Sequence, residues 1–445
     1  MHGNRALSPF LTWFHLLKAS WHSAAASVAA QTLVAATAVL ASRALGASAY
    51  GSVVAIAAYY GWFTLIGSYP CAPAIPSFLA SDKETDSGKK RAIATVVVLK
   101  SALSLLGGTL AYLWLPVLMP SVWRGPLHNA AVIYIVVFTL PPIRLITDVI
   151  AQSAGWLRFW SVSSVVGTGL PVALLAVYGL THVRLTPHSY IALLVAATIA
   201  STAFTLYLLV SKVGGLSYLR PRADVARPFL AEGRGPWLSV LGNVLCNYGV
   251  RTIIATSISS RELALYDVVY VFIGWVTGIG LAVTIPALSE WSRLAAEGDI
   301  DGLRRDVRRR QRATAAMLGA VGLVSLVAAR PILLAIYGPE YVGAAPVLRI
   351  MGLSLALGGL GGWYWIAVYA LAQPWRIAWP NISSNVVLVL LAYVLVRFTS
   401  LGITGTAIAY VFAVAIWLAV YEWEFRRALS ARTSRTANPA DPRLP

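Results

Sequence analysis

Six charged side chains lie inside or at the end of long apolar stretches, where a charge is costly and needs a partner or a water-filled cavity. The cations are Lys100, Arg144 and Arg251, with Arg43 at the end of a stretch, and the acids are Asp148 and Asp267. Guanidinium groups bind phosphate through two parallel hydrogen bonds. Three guanidinium groups and the Lys100 ammonium around one cavity would therefore bind an anionic ligand such as a diphosphate, and the acids could bind a coupling proton or Na⁺.

Two of the cations have an acid within reach, which gives them a second interpretation. Arg144 and Asp148 are four residues apart, a spacing that permits an ion pair on one helix face. Arg251 has no acid in its own apolar stretch, and Asp267 near the start of the next is its nearest candidate partner. The sequence leaves open whether these pairs are structural or whether the cations bind substrate.

The other two cations also have a purely structural interpretation. Lys100 is about eight residues into its stretch, roughly 12 Å from the edge at 1.5 Å per residue, and its long side chain could snorkel to the interface. Arg43 is at the end of the first stretch, where the C-terminus of a helix favours positive charge. Both remain candidates for lining a cavity.

The elements that must position these residues are transmembrane helices. The chain has 445 residues, of which 58% are hydrophobic and 12% charged, whereas soluble domains have about 25% charged residues. A mean hydropathy of +0.71 agrees, and it excludes a soluble enzyme, a nucleic-acid factor and a secreted disulfide scaffold. Apolar runs of about 20 residues predict twelve spans. They are approximately 22–42, 51–79, 92–118, 127–150, 160–181, 189–210, 236–257, 264–288, 313–336, 346–372, 379–398 and 403–423.

The distribution of basic residues predicts the orientation of these spans. The net charge is +18, and 25 of the 35 lysines and arginines lie in the tails and in the gaps after the even-numbered spans. Basic residues stay on the cytoplasmic side, so we expect both termini to be cytoplasmic. Residues 1–20 are interpreted as an interfacial helix. The Arg304–Arg312 cluster is interpreted as an amphipathic linker touching anionic lipid, with a different anionic partner as the alternative.

An internal repeat divides the spans into six and six. Ile75-Pro76 and Ile285-Pro286 end spans 2 and 8, and Ala151-Gln152 and Ala372-Gln373 follow spans 4 and 10. Both halves start on the same side, which predicts parallel lobes as in transporters whose substrate binds between them. We predict an N-terminal lobe over 1–220, including the interfacial helix, and a C-terminal lobe with a basic tail over 221–445.

Motifs for catalysis and for nucleotide binding are absent from the sequence. There is no G-x-x-x-x-G-K-[ST], no H-E-x-x-H and no G-x-S-x-G. The predicted outer gaps are short, which leaves little material for a membrane polymerase. We therefore predict a transporter and not an enzyme, with no metal or cofactor. The sequence leaves open whether transport is coupled to an H⁺ or Na⁺ gradient or to the membrane potential.

Four segments in order along the chain carry a family resemblance. They resemble polysaccharide and lipid-linked oligosaccharide flippases of the multidrug/oligosaccharidyl-lipid/polysaccharide exporter superfamily, on the O-antigen or exopolysaccharide branch. The segments are SRALGASAYG (Ser42–Gly51), LALYDVVYVFIGW (Leu263–Trp275), IYGPEYVGAAPVLRIM (Ile336–Met351) and LGITGTAIAY (Leu401–Tyr410).

The resemblance implies a V-shaped, twelve-helix, two-lobed exporter in the bacterial inner membrane that flips undecaprenyl-diphosphate-linked glycan by alternating access. It implies that Arg43 matches the family's arginine in the turn after span 1, and that Arg251 is at a position often charged. Implied partners are membrane lipids and, in glycan assembly, a polysaccharide polymerase and a chain-length regulator, with no nucleic acid. The alternatives are a multidrug–cation antiporter of the same superfamily, a membrane O-antigen polymerase and a structural scaffold. The antiporter would need an acidic cavity, and predicted spans 1–3 and 7 contain no Asp or Glu.

Overall fold

The computed structural model describes residues 21–68, 86–153, 156–181, 183–213, 223–232, 234–282, 284–371 and 374–437. Within these ranges the chain is all α-helical, which confirms the predicted fold class. The first helices are α1 (Trp21–Leu45), α2 (Ala47–Gly67), α3 (Asp86–Leu118), α4 (Pro120–Trp123), α5 (His128–Val137), α6 (Pro141–Ser153), α7 (Leu157–Leu180) and α8 (Pro187–Val213).

The remaining helices include one π-helical turn and one 3₁₀ turn. They are α9 (Ala223–Glu232), α10 (Arg234–Val244), the π turn Leu245–Gly249, α11 (Val250–Ser257), α12 (Ser260–Gly280), α13 (Thr284–Glu297), α14 (Ile300–Ile336), the 3₁₀ turn Pro339–Ala344, α15 (Ala345–Ala370), α16 (Pro374–Phe398) and α17 (Ile403–Ala437).

Twelve segments of the described chain are long and apolar enough to cross a membrane, as predicted. The predicted interfacial helix at 1–20 and the end of predicted span 2 lie outside the described residues. We number the spans in chain order: Ala25–Leu45, Ala47–Gly67, Lys90–Leu118, His128–Asp148, Arg158–Leu180, Pro187–Val213, Trp237–Ser257, Ser260–Gly280, Ile300–Ile336, Pro339–Ala370, Arg376–Phe398 and Ile403–Ser430.

Proline causes two irregularities in these spans. Span 4 breaks between α5 and α6, where Pro142 has no N–H for the carbonyl of Phe138. The hydroxyl of Tyr60 donates to that carbonyl at 2.7 Å, so the carbonyl keeps a hydrogen bond in apolar surroundings. In α14 the backbone leaves helical geometry at Ala328, three residues before Pro331, which produces a kink.

The described residues form two compact units. The first is Ala29–Val268, and the second contains the residues from Val269 onward together with the start of α1. The units divide the chain at Val268, inside α12, whereas the sequence predicts lobes divided at residue 220. The extent of the two transport lobes stays a prediction.

Close helix packing organises the second unit. The backbones of α14 and α15 approach so closely that a Cβ on Gly359 would lie 2.8 Å from the Cα of Ala315, whereas Gly358 has no atom within 4 Å of that position. Trp291 and Trp363 are fully buried in one apolar cluster with Tyr421. Gly359 therefore serves helix packing, as small residues do in membranes, whereas Gly358 does not.

Candidate functional site

A buried ion pair joins spans 7 and 8 in the first unit. Arg251 in α11 donates from Nε to Oδ1 of Asp267 in α12 at 2.6 Å, and its Nη2 lies 2.6 Å from the same oxygen. The Asp267 residue is 3% exposed and the Arg251 side chain 12%. The structural ion pair that the sequence leaves open is thus present, and a substrate-binding role for Arg251 stays a prediction.

A tyrosine from span 2 completes this site. The hydroxyl of Tyr50 donates to Oδ2 of Asp267 at 2.8 Å, so the carboxylate accepts on both oxygens. Gly46, with a φ of 76°, makes the turn between α1 and α2 that only a residue tolerant of positive φ makes without strain. Gly51 then faces the backbone of Ser260, where a side chain has no room. Tyr50 lies between these glycines and is therefore placed within reach of α12.

The helix that carries Arg251 is irregular just before it. A π turn over Leu245–Gly249 separates α10 from α11, and such turns occur often at functional sites. Arg251 donates from Nη1 to the carbonyl of Asn247 inside this turn. Trp62 of α2 donates to the hydroxyl of Thr252, the residue after Arg251, at 2.9 Å. The lock, as we name Tyr50, Arg251 and Asp267, therefore joins spans 2, 7 and 8 across an irregular segment.

A second polar cluster lies between α6, α7 and α8. Oδ1 of Asp148 accepts from the hydroxyl of Ser163 at 2.8 Å, and Ser163 shares a hydrogen bond of 2.9 Å with Thr205. Nε of Arg144 is 3.9 Å from Oδ2 of Asp148, too far for a hydrogen bond, and has no hydrogen-bond partner among the described residues. The guanidinium lies where a side chain on Gly167 would be.

The structure brings the predicted residues together in pairs. Arg251 meets Asp267, and Arg144 lies near Asp148, while Lys100 is buried in α3 and Arg43 is exposed in the last turn of α1. Cavity lining by these four cations and ion coupling by the two acids stay predictions. Within the described residues there is also no group of three or more His, Cys, Asp or Glu side chains that could hold a metal.

Sequence reasoning missed the hydroxyl groups. Tyr50, Ser163 and Thr205 each bond to a buried acid or to its partner, but only Tyr50 lies in a quoted motif. Its position between Gly46 and Gly51 was the available signal, because two glycines around an aromatic residue indicate a tight turn with a close helix contact. Ser163 and Thr205 are 42 residues apart and carry no such signal.

Twelve long apolar helices in the described chain, with a buried ion pair between two of them, define a polytopic helical membrane protein, and solved structures share this fold. An inward-facing multidrug resistance MATE family transporter of the MOP superfamily matches with a TM-score of 0.71 at 18% identity, over 91% of this chain and 96% of that one. Its outward-facing counterpart matches with a TM-score of 0.58 at 15% identity, over 96% and 90%.

A third similar structure is a MOP superfamily transporter from Pyrococcus furiosus, described as having a binding pocket of reverse polarity that suggests a different function. It has a TM-score of 0.65 at 15% identity and covers 94% of this chain and 97% of that one. No protein-family model and no curated protein matches the sequence. The structural neighbours thus establish a MATE-like fold. At identities below 25%, the similarity shows the fold and not the function.

Proposed function

We propose that this chain is a secondary exporter of amphipathic organic molecules, of the multidrug type, and that a proton or Na⁺ acting at Asp267 drives it. The observation that carries the proposal is the lock, in which one buried carboxylate holds Arg251 and Tyr50 from two other spans. The MATE-like fold supports the same class, since structures with this fold include multidrug resistance transporters. No ATP-binding loop supplies another energy source.

The lock is suited to coupling because its strength depends on the charge of Asp267. Protonation of the carboxylate, or a Na⁺ beside it, removes most of its attraction for Arg251. The guanidinium is then released beside the π turn, so ion binding favours a second arrangement of spans 7 and 8. A substrate that binds the released arrangement more tightly than the bonded one shifts the equilibrium between these two arrangements in the same direction, so substrate binding and ion binding are thermodynamically linked.

A flippase for undecaprenyl-diphosphate-linked glycan is the second candidate. Arg144 favours it, because its buried Nε lacks a hydrogen-bond partner among the described residues and could donate to a phosphate. The four flippase-like segments favour it too. Under this hypothesis released Arg251 binds the diphosphate in an inner-membrane protein with cytoplasmic termini, next to a polymerase and a chain-length regulator. Arg251→Ala then abolishes surface glycan while the protein still inserts.

Reconstitution into liposomes separates the two candidates. One set of liposomes receives a fluorescent lipophilic cation and an imposed H⁺ or Na⁺ gradient, and a second set receives a labelled polyprenyl-diphosphate oligosaccharide. We expect gradient-driven dye movement that Asp267→Asn abolishes and that Glu262→Gln, on the same helix, leaves intact. Dye movement that persists in Asp267→Asn contradicts coupling at this acid. Movement of the glycolipid without movement of the dye favours the flippase.

A further inference from the structure

The start of α14 presents one strongly basic face. Arg304, Arg305, Arg308, Arg309 and Arg312 are all exposed. At 3.6 residues per turn they fall within an arc of roughly 140° on one side of the helix. The opposite side packs into the protein through buried residues. These are Leu303, Val307, Arg310, Gln311 and Thr314.

Buried Arg310 fixes the direction of this face. Its Nε donates to Asp306 at 2.6 Å and a terminal nitrogen donates to Glu290 at 2.8 Å. Its guanidinium carbon also lies 5.8 Å from the ring centre of Trp291 and 5.7 Å from that of Trp363. These contacts hold the rotation of α14, so the other arginines point outward.

Nearby acids leave the basic face almost uncompensated. Asp306 and Glu290 are bonded to Arg310, Asp299 caps the N-terminus of α14 through Gly302, and Glu297 pairs with Arg293. Asp301 is exposed on the same side of the helix as the five arginines. With five arginines and this one acid, the face keeps a formal charge of +4.

The height of the face matches the membrane surface. Apolar sequence begins at Ala313, directly after Arg312, and Arg304 is about 12 Å further out at 1.5 Å per residue. The headgroup layer of one leaflet is roughly 5–8 Å thick. The inner arginines thus lie at headgroup level, and the outer ones lie within about a Debye length of it.

We propose that this face is a binding surface for anionic phospholipid headgroups in the leaflet where α14 enters the membrane. Phosphodiester oxygens are good acceptors for guanidinium groups. The sequence of α14 changes from basic to apolar within one residue. A lipid headgroup can therefore bind the arginines while its acyl chains contact the apolar part of the same helix. The proposal does not depend on which molecule the protein exports.

Energy transfer from tryptophan to dansyl-labelled phosphatidylglycerol tests the proposal in the purified full-length protein. Dansyl-phosphatidylcholine serves as the neutral probe. The triple variant R305Q/R308Q/R312Q should lose about fivefold in preference for the anionic lipid per arginine, or roughly 100-fold in all. The loss should be largest at low salt, and the preference itself should vanish near 1 M salt, where the Debye length is about 3 Å.

A matched triple variant removes three positive charges at the opposite ends of the membrane spans in the second unit. R330Q/R349Q/R397Q changes three arginines that are also exposed and should leave the preference intact. An equal loss in both triples, or no loss in the first, would overturn the proposal. Displacement of the probe by soluble glycerophosphate would also overturn it, because the face would then bind free phosphate and not a bilayer lipid. Unchanged thermal denaturation shows that each triple is folded.

Discussion

Removal of the Asp267 carboxylate is the sharpest test of the lock. In Asp267→Ala the guanidinium of Arg251 stays in a buried position without its acid, and breaking a buried pair in this way costs about 3–5 kcal/mol. Tyr50 also loses the acceptor for its hydroxyl. A buried donor left without a partner costs about 1–3 kcal/mol, and the two effects overlap because they share one carboxylate. We therefore expect Asp267→Ala to lose about 3–5 kcal/mol.

The assay is the free energy of unfolding of the detergent-solubilised protein, measured by titration with a denaturing detergent. Glu262→Ala, on the same helix, is the control and should change this free energy by less than about 0.5 kcal/mol. A double-mutant cycle with Arg251→Ala isolates the pair. We expect a coupling energy of about 2–3 kcal/mol, because each single variant leaves the other charge buried and unpaired.

Two results would refute the reasoning. Additive effects of Arg251→Ala and Asp267→Ala would mean that the two side chains do not stabilise each other. The reversed pair, Arg251→Asp with Asp267→Arg, distinguishes structure from mechanism. If it restores both stability and transport, the pair is structural, and coupling through Asp267 is wrong.

Two further predictions concern the second unit. Gly359→Ala should destabilise the protein by about 1–3 kcal/mol, because the added Cβ would clash with the backbone of Ala315. The control Gly358→Ala should be neutral or stabilising by up to about 1 kcal/mol. Thermal denaturation measures both effects. Arg310→Ala should cost about 2 kcal/mol, since Arg310 is buried while its acids are partly hydrated, and exposed Arg309→Ala should cost less than about 0.5 kcal/mol in the same assay.

The number and approximate bounds of the spans followed from composition and run length. A bilayer requires about 20 apolar residues in every crossing helix, so each span carries its own signal. The breaks inside spans were harder to foresee. The two prolines of span 4 were visible, but only the structure shows that Tyr60, from another helix, satisfies the carbonyl of Phe138.

The candidate site was predictable in its charges and not in its geometry. Burial of a charge in lipid is so costly that Arg251, Asp267, Arg144 and Asp148 stood out by position alone. Their spacing also gave the partners, because an acid four residues away or near the start of the next helix is within reach. Which oxygen each donor meets depends on helix rotation, and one sequence does not specify rotation.

The sequence by itself determined that this chain spans a membrane twelve times and that its intramembrane charges need partners, because both follow from the cost of polar groups in hydrocarbon. The tertiary structure decided that the two pairs differ: Arg251 bonds firmly to Asp267, whereas Arg144 stays 3.9 Å from Asp148. The physical reason is that hydrogen bonds need a fit of a few tenths of an ångström. That fit comes from helices distant in sequence, such as the one that brings Tyr50 to Asp267.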